Sequence, residues 1–365
     1  MAKNSITALM VAMIFCCSLS GCIDNSSQEF ELELSDLENE NEQLNNTITT
    51  LRMENENLLN QIILLNNESD IEENHPLLLY ERYNITGAYM DHANWSGDLW
   101  ERVTFDSEGI PMVQYSHGLE YVPTTAFHWG LLCFSKWIIS NNQSQFDDAM
   151  KIAVWAVENQ SDIGGWGWHF NYSFSRGVVG ELSSEWYGAM TQGLGMSFMS
   201  RMYAETSNES FKQSALDAME LFDVHVDQGG VLRTYQGQPW YEEYPTPNAG
   251  SFVLNGFIYA LIGLHDLHEV FNSTKALELY MNGTESLYSM IGLFDLGCSS
   301  SYDLVHHSVP GTAPNIASNF YHNLHITLLS VLNVFENDGF QTVEDRWIEY
   351  TDDICFSSPN GANPK

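Results

Sequence analysis

The segment WYEEYPTPNAGSFVLNGFIYALIGLHDLHEV, residues 240–270, contains both kinds of element from which this chain is built. Its first half is a loop rich in aromatic residues and proline, and its second half is an apolar stretch with helical periodicity. Helices alternating with such loops predict an all-α dominated fold, an α/α toroid (incomplete α/α barrel) whose loops line a cleft at one end. The predicted helices are at 123–140, 145–159, 185–205, 209–226, 250–270, 274–291 and 319–336.

N-terminal to these helices, the sequence predicts short β hairpins and a coiled-coil stalk. Residues 76–118 contain aromatic and β-branched residues between glycines and prolines, which is typical of short strands. Within 34–65, leucine recurs every seven residues, and two of the intervening a positions are Asn41 and Asn55. This heptad pattern predicts a parallel homodimer. The expected domains are a signal peptide (1–22), a tether and stalk (23–75), a β-rich segment (76–118) and the toroid (119–356).

The first residues resemble a targeting segment. Lys3 precedes an apolar stretch, and Leu19-Ser20-Gly21-Cys22 is similar to the lipobox of prokaryotic lipoproteins. The pattern predicts that cleavage leaves Cys22 as a lipidated N-terminus, and an uncleaved membrane anchor is the alternative. Under either interpretation the body of the protein is expected on the outer face of the cell membrane.

The composition excludes some partners. Acidic residues number 48 and basic residues 13, for a net charge of −35. Such a surface repels nucleic acid and anionic lipid, and it disfavours heavily sulfated polysaccharides. Beyond the signal segment the cysteines are Cys133, Cys298 and Cys355, which lack metal-type spacing. One disulfide, such as Cys298 with Cys355, and simple burial are the two interpretations of these residues.

Six segments of the helical region match the motifs of one enzyme family in order and spacing. They are EWYGAMTQG (185–193), WYEEYPT (240–246), SFVLNGFIY (251–259), SYDL (301–304), APN (313–315) and YHNLHI (321–326). The segments GIPMVQY (109–115), YVPTTA (121–126) and GGW (164–166) agree with the region that precedes them. The ordered set, over 109–350, resembles the D-glucuronyl carbon-5 epimerases.

The resemblance implies inversion of carbon 5 in a polymer-bound hexuronate, from D-glucuronate to L-iduronate, in a cell-surface glycan. Inversion needs a base on one face of the ring and an acid on the other. In the family, the residues that match Glu243, Tyr244, Tyr302 and Tyr321 are implicated in catalysis, and the one that matches Asn255 in binding. We expect Tyr302 and Tyr321 to be the opposed proton carriers, with Glu243 and Tyr244 positioning the substrate or sharing the transfer.

Other residues are candidates for binding the substrate or tuning the tyrosines. A phenol has a pKa near 10, so a tyrosine that acts as a base needs a cation or histidine beside it. Aromatic residues at this density also pack against one another, so packing in the core is the alternative role for Trp240. The candidates are Arg233, His306, His322, His325, Trp240, Tyr187 and Gln192.

Two features depart from the family pattern. The family carries an arginine that engages the uronate carboxylate at the position of Val305. Recognition of the carboxylate must then come from Arg233, Arg176 or the histidines, or it is lost. The β-rich segment is also shorter than the β domain of the enzymes that the chain resembles, and a second subunit held by the stalk is one source of the missing part.

Two other functions compete with epimerisation. A polysaccharide lyase of similar shape begins with the same proton abstraction and then expels the oxygen on carbon 4. A non-catalytic glycan-binding protein would keep the cleft and lose turnover. The sequence contains no metal-ligand spacing, phosphate-binding glycine loop or Ser-His-Asp spacing, so no cofactor is expected.

Overall fold

The computed structural model describes residues 43, 83–94 and 102–351 of the chain. The predicted signal peptide, Cys22 and, apart from residue 43, the predicted stalk at 34–65 lie outside the described residues. The described residues from 83 onward belong to one compact unit. In this part of the chain no helix is long and apolar enough to span a membrane.

Helices dominate the described residues, as predicted. Eight of them form four consecutive pairs, and a ninth is a single short turn, α7 (Val305–Ser308), that carries part of a loop. The pairs are α1 (Pro123–Ser140) with α2 (Gln143–Glu158), α3 (Ala189–Thr206) with α4 (Glu209–Ala218), α5 (Leu254–Phe271) with α6 (Thr274–Met290), and α8 (Asn319–Phe335) with α9 (Gln341–Tyr350).

The first helix of each pair lies inside and the second lies outside. The inner helices pack side by side in the order α1, α3, α5 and α8, and each outer helix packs on its own inner partner. Residues 189–202 of α3 are buried at every position except Met190, since this helix has neighbours on both sides and an outer helix behind it. This layered arrangement of inner and outer helices is the predicted incomplete α/α toroid.

Three of the pairs turn through the same two-residue junction. The first residue of the junction is the C-cap of the inner helix, and its backbone is in the left-handed region. The second is the N-cap of the outer helix, and its side chain accepts a hydrogen bond from a backbone amide of that helix. Asparagine and serine suit both positions because their short polar side chains bond to nearby backbone. The junctions are Asn141-Asn142, Ser207-Asn208 and Asn272-Ser273.

The two central helices, α3 and α5, approach each other backbone to backbone. A Cβ on Gly193 would lie 2.4 Å from the carbonyl oxygen of Tyr259, and one on Gly263 would lie 2.3 Å from the carbonyl oxygen of Gly193. Side chains at these glycines would force the helices apart. The pair of glycines therefore fixes how close the two inner helices lie.

A three-stranded antiparallel sheet precedes the toroid. Strands β1 (Val103–Phe105), β2 (Pro111–Tyr115) and β3 (Gly118–Tyr121) are joined in sequence order, and β3 leads directly into α1. Two smaller hairpins lie in the loops, one formed by β4 (Tyr172–Ser173) and β5 (Glu181–Leu182), and one by β6 (Leu232–Tyr235) and β7 (Gln238–Tyr241). The second of these hairpins leads into the WYEEYP motif.

Several predicted helix boundaries were wrong. Helices α3 and α5 begin a turn later than predicted, at Ala189 and Leu254, because the preceding residues bond to other loops. The amide of Glu185 donates to the carbonyl of Trp168 at 2.7 Å, and the amides of Ser251 and Phe252 donate to the Glu242 carboxylate. Helix α4 ends at Ala218, well before the predicted 226, and α9 was not predicted.

Of the described cysteines, one is simply buried and one forms a disulfide. Cys133 is a free thiol buried in α1, where burial raises the pKa of the thiol to about 12. Cys298 is disulfide-bonded, and Cys355, the partner suggested by the sequence, lies outside the described residues.

A fully buried ion pair connects the central helices to the segment at 83–94. Arg201 of α3 donates to the carboxylate of Asp266 in α5 at 2.7 Å, and neither side chain is exposed. The guanidinium also donates to the carbonyls of Asn84 and Gly87 and to the hydroxyl of Tyr83. Together with a bond to the carbonyl of Ser197, these contacts satisfy every donor that points away from Asp266.

Removing one partner of this pair should strongly destabilise the protein. We expect Arg201→Met to lower the free energy of unfolding by about 3–5 kcal/mol, because it leaves the Asp266 carboxylate buried and unpaired. Lys275, which forms exposed pairs with Glu220 and Asp223, provides the control, and Lys275→Met should cost less than about 1 kcal/mol. Urea titration followed by circular dichroism measures both, and equal losses would contradict the prediction.

Candidate functional site

A pocket of about 270 Å³ opens where the N-terminal ends of the four inner helices meet. Each inner helix contributes residues from its first turn or two, and the remaining lining residues come from the loops that precede α3 and α5. The pocket is lined by Thr124, Thr125, His128, Trp168, Trp186, Met190, Thr191, Glu243, Tyr244, Asn255, Tyr259, Phe320, Tyr321 and Leu324.

Glu243 is the buried carboxylate of this pocket. Its side chain is 8% exposed, and its Oε2 atom has no hydrogen-bond partner. Burial raises the pKa of Glu243 to about 7, an effect that the Tyr244 hydroxyl opposes and the Glu242 carboxylate reinforces. A carboxyl with this pKa can both accept and return a proton near neutral pH.

Two glycines make room for this carboxylate. A Cβ on Gly256 would lie 2.2 Å from Oε2 of Glu243, and one on Gly188 would lie 2.4 Å from its carbonyl oxygen. The loop that carries Glu243 is held against α3 by a hydrogen bond from the amide of Ala189 to the carbonyl of Glu242, 2.8 Å long. The first turns of α3 and α5 therefore set the position of the Glu243 side chain.

Three tyrosines cluster beside Glu243. The rings of Tyr302 and Tyr321 meet edge to face with centroids 4.7 Å apart. Tyr244 lies close to Tyr302 and stacks on Tyr172 and Phe174. Burial raises the pKa of Tyr321 to about 12, and it raises the pKa values of Tyr244 and Tyr302 well above the ordinary range, with the Glu243 charge adding to each rise. All three phenols are therefore protonated near neutral pH.

This geometry differs from the expectation that Tyr302 and Tyr321 face each other across a sugar ring. With their centroids 4.7 Å apart the two rings are in contact, so a pyranose cannot lie between them. Tyr321 lines the pocket, whereas Tyr302 is not among its lining residues. The position of Tyr302 is fixed by its backbone, whose amide donates to the carbonyl of Asn315 and whose carbonyl accepts from the amide of Leu254.

Glu242, the neighbour of Glu243, points away from the pocket. Its buried carboxylate accepts hydrogen bonds from the amide and hydroxyl of Ser251 and from the amide of Phe252. Arg233 pairs with it at 3.1 Å and donates to the carbonyl of Thr246. Arg233, a candidate partner for the substrate carboxylate, is thus occupied in holding the WYEEYP loop to the start of α5.

Asn255 and His128 provide neutral polar groups to the pocket. Asn255 is 2% exposed, and its Oδ1 atom has no hydrogen-bond partner. His128 contacts His92 through a 3.0 Å bond between ring nitrogens, and burial lowers the pKa of His128 to about 3. Both side chains are therefore uncharged near neutral pH.

One wall of the pocket is aromatic. Trp168 and Trp186 stack with centroids 4.6 Å apart, and Trp168 donates through its indole nitrogen to the hydroxyl of Thr191. Thr191 in turn lies 2.5 Å from the hydroxyl of Thr124. Flat apolar faces next to fixed hydroxyl groups are suited to sugars, whose rings carry both C–H faces and hydroxyl edges.

Several predicted site residues do not reach the pocket wall. Trp240 is fully buried and stacks on Phe257 at 3.8 Å, so its role is in the core. Gln192 is also buried and bonds through its amide to the backbone of Trp166. Tyr187 lies over Gly165 and Gly167, each of which would meet its ring if it had a side chain.

The three predicted histidines also lie away from the pocket. His322 and His325 share the hydroxyl of Ser300 at 2.9 and 2.7 Å, in the layer between α8 and α9, and burial lowers their pKa values. His322 also contacts the carbonyl of Trp347. His306 is on α7, beside His307, and burial lowers its pKa too. None of the three contacts a tyrosine of the cluster in the hydrogen bonds of the described residues.

Other lining residues were not predicted from the sequence. All of them except Trp186 come from the first two turns of an inner helix, so the predicted toroid itself was the signal that could have found them. Several of them lie in the matched segments YVPTTA (121–126), EWYGAMTQG (185–193) and SFVLNGFIY (251–259), but a motif match alone does not show which of its side chains face the pocket. The missed residues are Thr124, Thr125, His128, Trp186, Met190, Thr191, Tyr259, Phe320 and Leu324.

Comparisons with known proteins confirm the resemblance. The family model described as D-glucuronyl C5-epimerase C-terminus matches residues 160–349, more than half of the chain. A D-glucuronyl C5-epimerase of Caenorhabditis elegans is 39% identical over 227 residues, 58% of this chain and 36% of the relative. An uncharacterized protein of Methanocaldococcus jannaschii is 32% identical over 144 residues, 38% of this chain and 46% of that protein.

The chain thus spans less than half the length of either curated relative. Among solved structures, the cellobiose 2-epimerase of Bacillus thermoamylovorans B4167 gives a TM-score of 0.46 at 14% identity, covering 69% of this chain and 66% of that one.

The raised pKa of Glu243 predicts a pH-dependent cost to stability. Because its pKa is about 7 in the folded chain against 4.5 ordinarily, the folded state holds the proton more tightly, and stability falls as the pH rises between these values. Glu243→Gln should therefore raise the free energy of unfolding by up to about 3 kcal/mol at about pH 8, and little at about pH 4. Urea titrations at both pH values measure the difference.

Glu269→Gln, at an exposed position of α5, is the matched control and should change stability little at either pH. If Glu243→Gln is no more stable than the parent at about pH 8, other interactions compensate for burial of the carboxylate, and the prediction is wrong.

Proposed function

Because this chain belongs to the D-glucuronyl C5-epimerase family through that family's C-terminal domain, we propose that it is a carbohydrate epimerase that inverts carbon 5 of a hexuronate residue in a glycan. The observation that carries the proposal is the pairing, in one pocket, of the buried Glu243 carboxyl with the Tyr321 phenol. The first has a pKa of about 7 and the second a pKa of about 12, so one is a base and the other an acid under the same conditions.

In the proposed reaction, Glu243 removes the proton from carbon 5. The electron pair of the broken C–H bond forms a double bond to carbon 6, and negative charge moves to the carbonyl oxygen of that group. The phenol of Tyr321 then donates its proton to carbon 5 on the opposite face, and the double bond is lost. The configuration at carbon 5 is inverted, with no net change in protons.

After one inversion Glu243 carries a proton and Tyr321 has lost one. The interaction of Tyr244 with Glu243, of Tyr302 with Tyr244 and of Tyr321 with Tyr302 supports a path by which the proton returns. In this proposal Tyr302 and Tyr244 act as positioning and relay residues.

The setting of the reaction is also a proposal. A chain held by a lipid on Cys22, with a parallel dimeric stalk at 34–65, would present the toroid to glycans at the outer face of the cell membrane. Release of the chain from membranes by detergent, together with mass spectrometry of the N-terminal peptide, tests the anchor independently of the chemistry.

The proposed reaction predicts exchange of the carbon-5 proton with solvent. Incubated with a glucuronate-containing glycan in deuterium oxide, the full chain should replace that proton with deuterium, and the inverted sugar should appear by NMR. Glu243→Gln and Tyr321→Phe should each slow exchange by about 10²–10⁴-fold, because each removes one proton carrier. The parent rate should rise with pH through about 7 as Glu243 ionises.

Tyr187→Phe, outside the pocket, is the matched control and should exchange at the parent rate. Loss of the proton with an unsaturated sugar as the product would identify a lyase. Binding without exchange across a panel of glycans would favour the non-catalytic alternative.

A further inference from the structure

The wall beside the tyrosine cluster is apolar where the resembled family carries an arginine. Val305 is 2% exposed and packs with Phe174, Val179 and Val253. Tyr244 and Tyr302 pack against this cluster. The apolar wall is therefore continuous, through Tyr244, with one side of the pocket.

No lysine or arginine is among the described side chains that line the pocket. Arg233, the candidate substitute, pairs with the Glu242 carboxylate at 3.1 Å and donates to the carbonyl of Thr246. His128 lines the pocket, but burial keeps it neutral. The described side chains thus offer a substrate carboxylate no cationic partner.

Two buried oxygen atoms of the pocket are hydrogen-bond acceptors without a partner. Oε2 of Glu243 and Oδ1 of Asn255 both lack a partner, and both side chains line the pocket. An ionised carboxylate has only acceptor atoms, so it cannot satisfy either group, and the Glu243 charge repels it. A primary amide offers two N–H donors, and an ester offers an uncharged, partly apolar surface.

We propose that the hexuronate bound here carries an uncharged derivative of its carboxyl group, a primary amide or an ester, at carbon 6. This inference rests on the proposed function and names its substrate class. Removing the carbon-5 proton beside a carboxylate accumulates a second negative charge, which the family arginine would offset. Beside an amide or ester it creates only one, on the carbonyl oxygen, and the N-terminal ends of the four inner helices favour a single negative charge in the pocket.

The test uses three short oligosaccharides that differ only at carbon 6 of one glucuronosyl residue: the carboxylate, the primary amide and the methyl ester. Binding is measured by calorimetry with Tyr321→Phe, which keeps Glu243 and slows turnover. The amide or the ester should bind at least about tenfold more tightly than the carboxylate, and changing the salt concentration should leave that binding unaltered. Exchange of the carbon-5 proton is followed with the parent chain, relative to each compound alone in the same buffer.

Two substitutions examine the source of the preference. Val305→Arg should shift binding toward the carboxylate, and Val305→Leu, which keeps the apolar wall, should not. Arg176→Gln tests the basic residue of the loop between β4 and β5. If the carboxylate binds as tightly as the amide and ester, and Arg176→Gln abolishes that binding, the inference is overturned and Arg176 is the missing cation.

The exchange measurements distinguish a wrong substrate class from a wrong epimerase assignment. Exchange of the carboxylate compound at a rate equal to or above the other two overturns the inference on substrate class and leaves the epimerase assignment intact. Exchange of none of the three overturns the epimerase assignment, and the substrate class with it.

Discussion

The ion pair between Arg201 and Asp266 is the constraint on which the arrangement of this protein depends. It lies wholly out of solvent and joins the two central inner helices to each other and to the segment at 83–94. Burying two charges is costly unless the geometry satisfies them fully, so few relative positions of α3 and α5 are compatible with it. Together with the contact at Gly193 and Gly263, it sets both the register and the separation of these helices. The starts of the same helices hold Glu243, so the core controls the site directly.

The adjacent glutamates show how one short motif can serve both structure and chemistry. Consecutive side chains leaving a strand point in opposite directions, and here one points into the fold and the other into the pocket. Glu242 is satisfied by three hydrogen bonds and Arg233, whereas Glu243 keeps an oxygen atom without a partner. Burial raises the pKa of both carboxyls, yet only Glu243 is placed to exchange a proton with a ligand. The glutamate with the unsatisfied oxygen is the one at the site, and its neighbour holds the loop in place.

Much of this could be predicted from the sequence, because helical periodicity and motif order are local properties. The helix pairs, the cleft at one end of the toroid and the grouping of Glu243 with Tyr244, Tyr302 and Tyr321 all follow from them. What could not be predicted depends on contacts distant in sequence. Nothing local to Tyr302 indicates that its ring contacts that of Tyr321. Nor does the sequence near Trp240 show that its indole stacks on Phe257 in the core and does not reach a bound sugar. The role of Arg233 likewise becomes clear only once the Glu242 carboxylate is placed 3.1 Å away.

The repeated two-residue junctions divide the molecule into two ends with different freedom to vary. At the junction end, Asn141-Asn142, Ser207-Asn208 and Asn272-Ser273 leave no spare residue, so an insertion there would disturb two capped helices at once. At the other end, the connections between pairs are long loops that cross the pocket, and loops tolerate changes in length far better than helix caps do. Evolution could therefore remodel which sugar is recognised by editing one end, while the opposite end preserves the architecture.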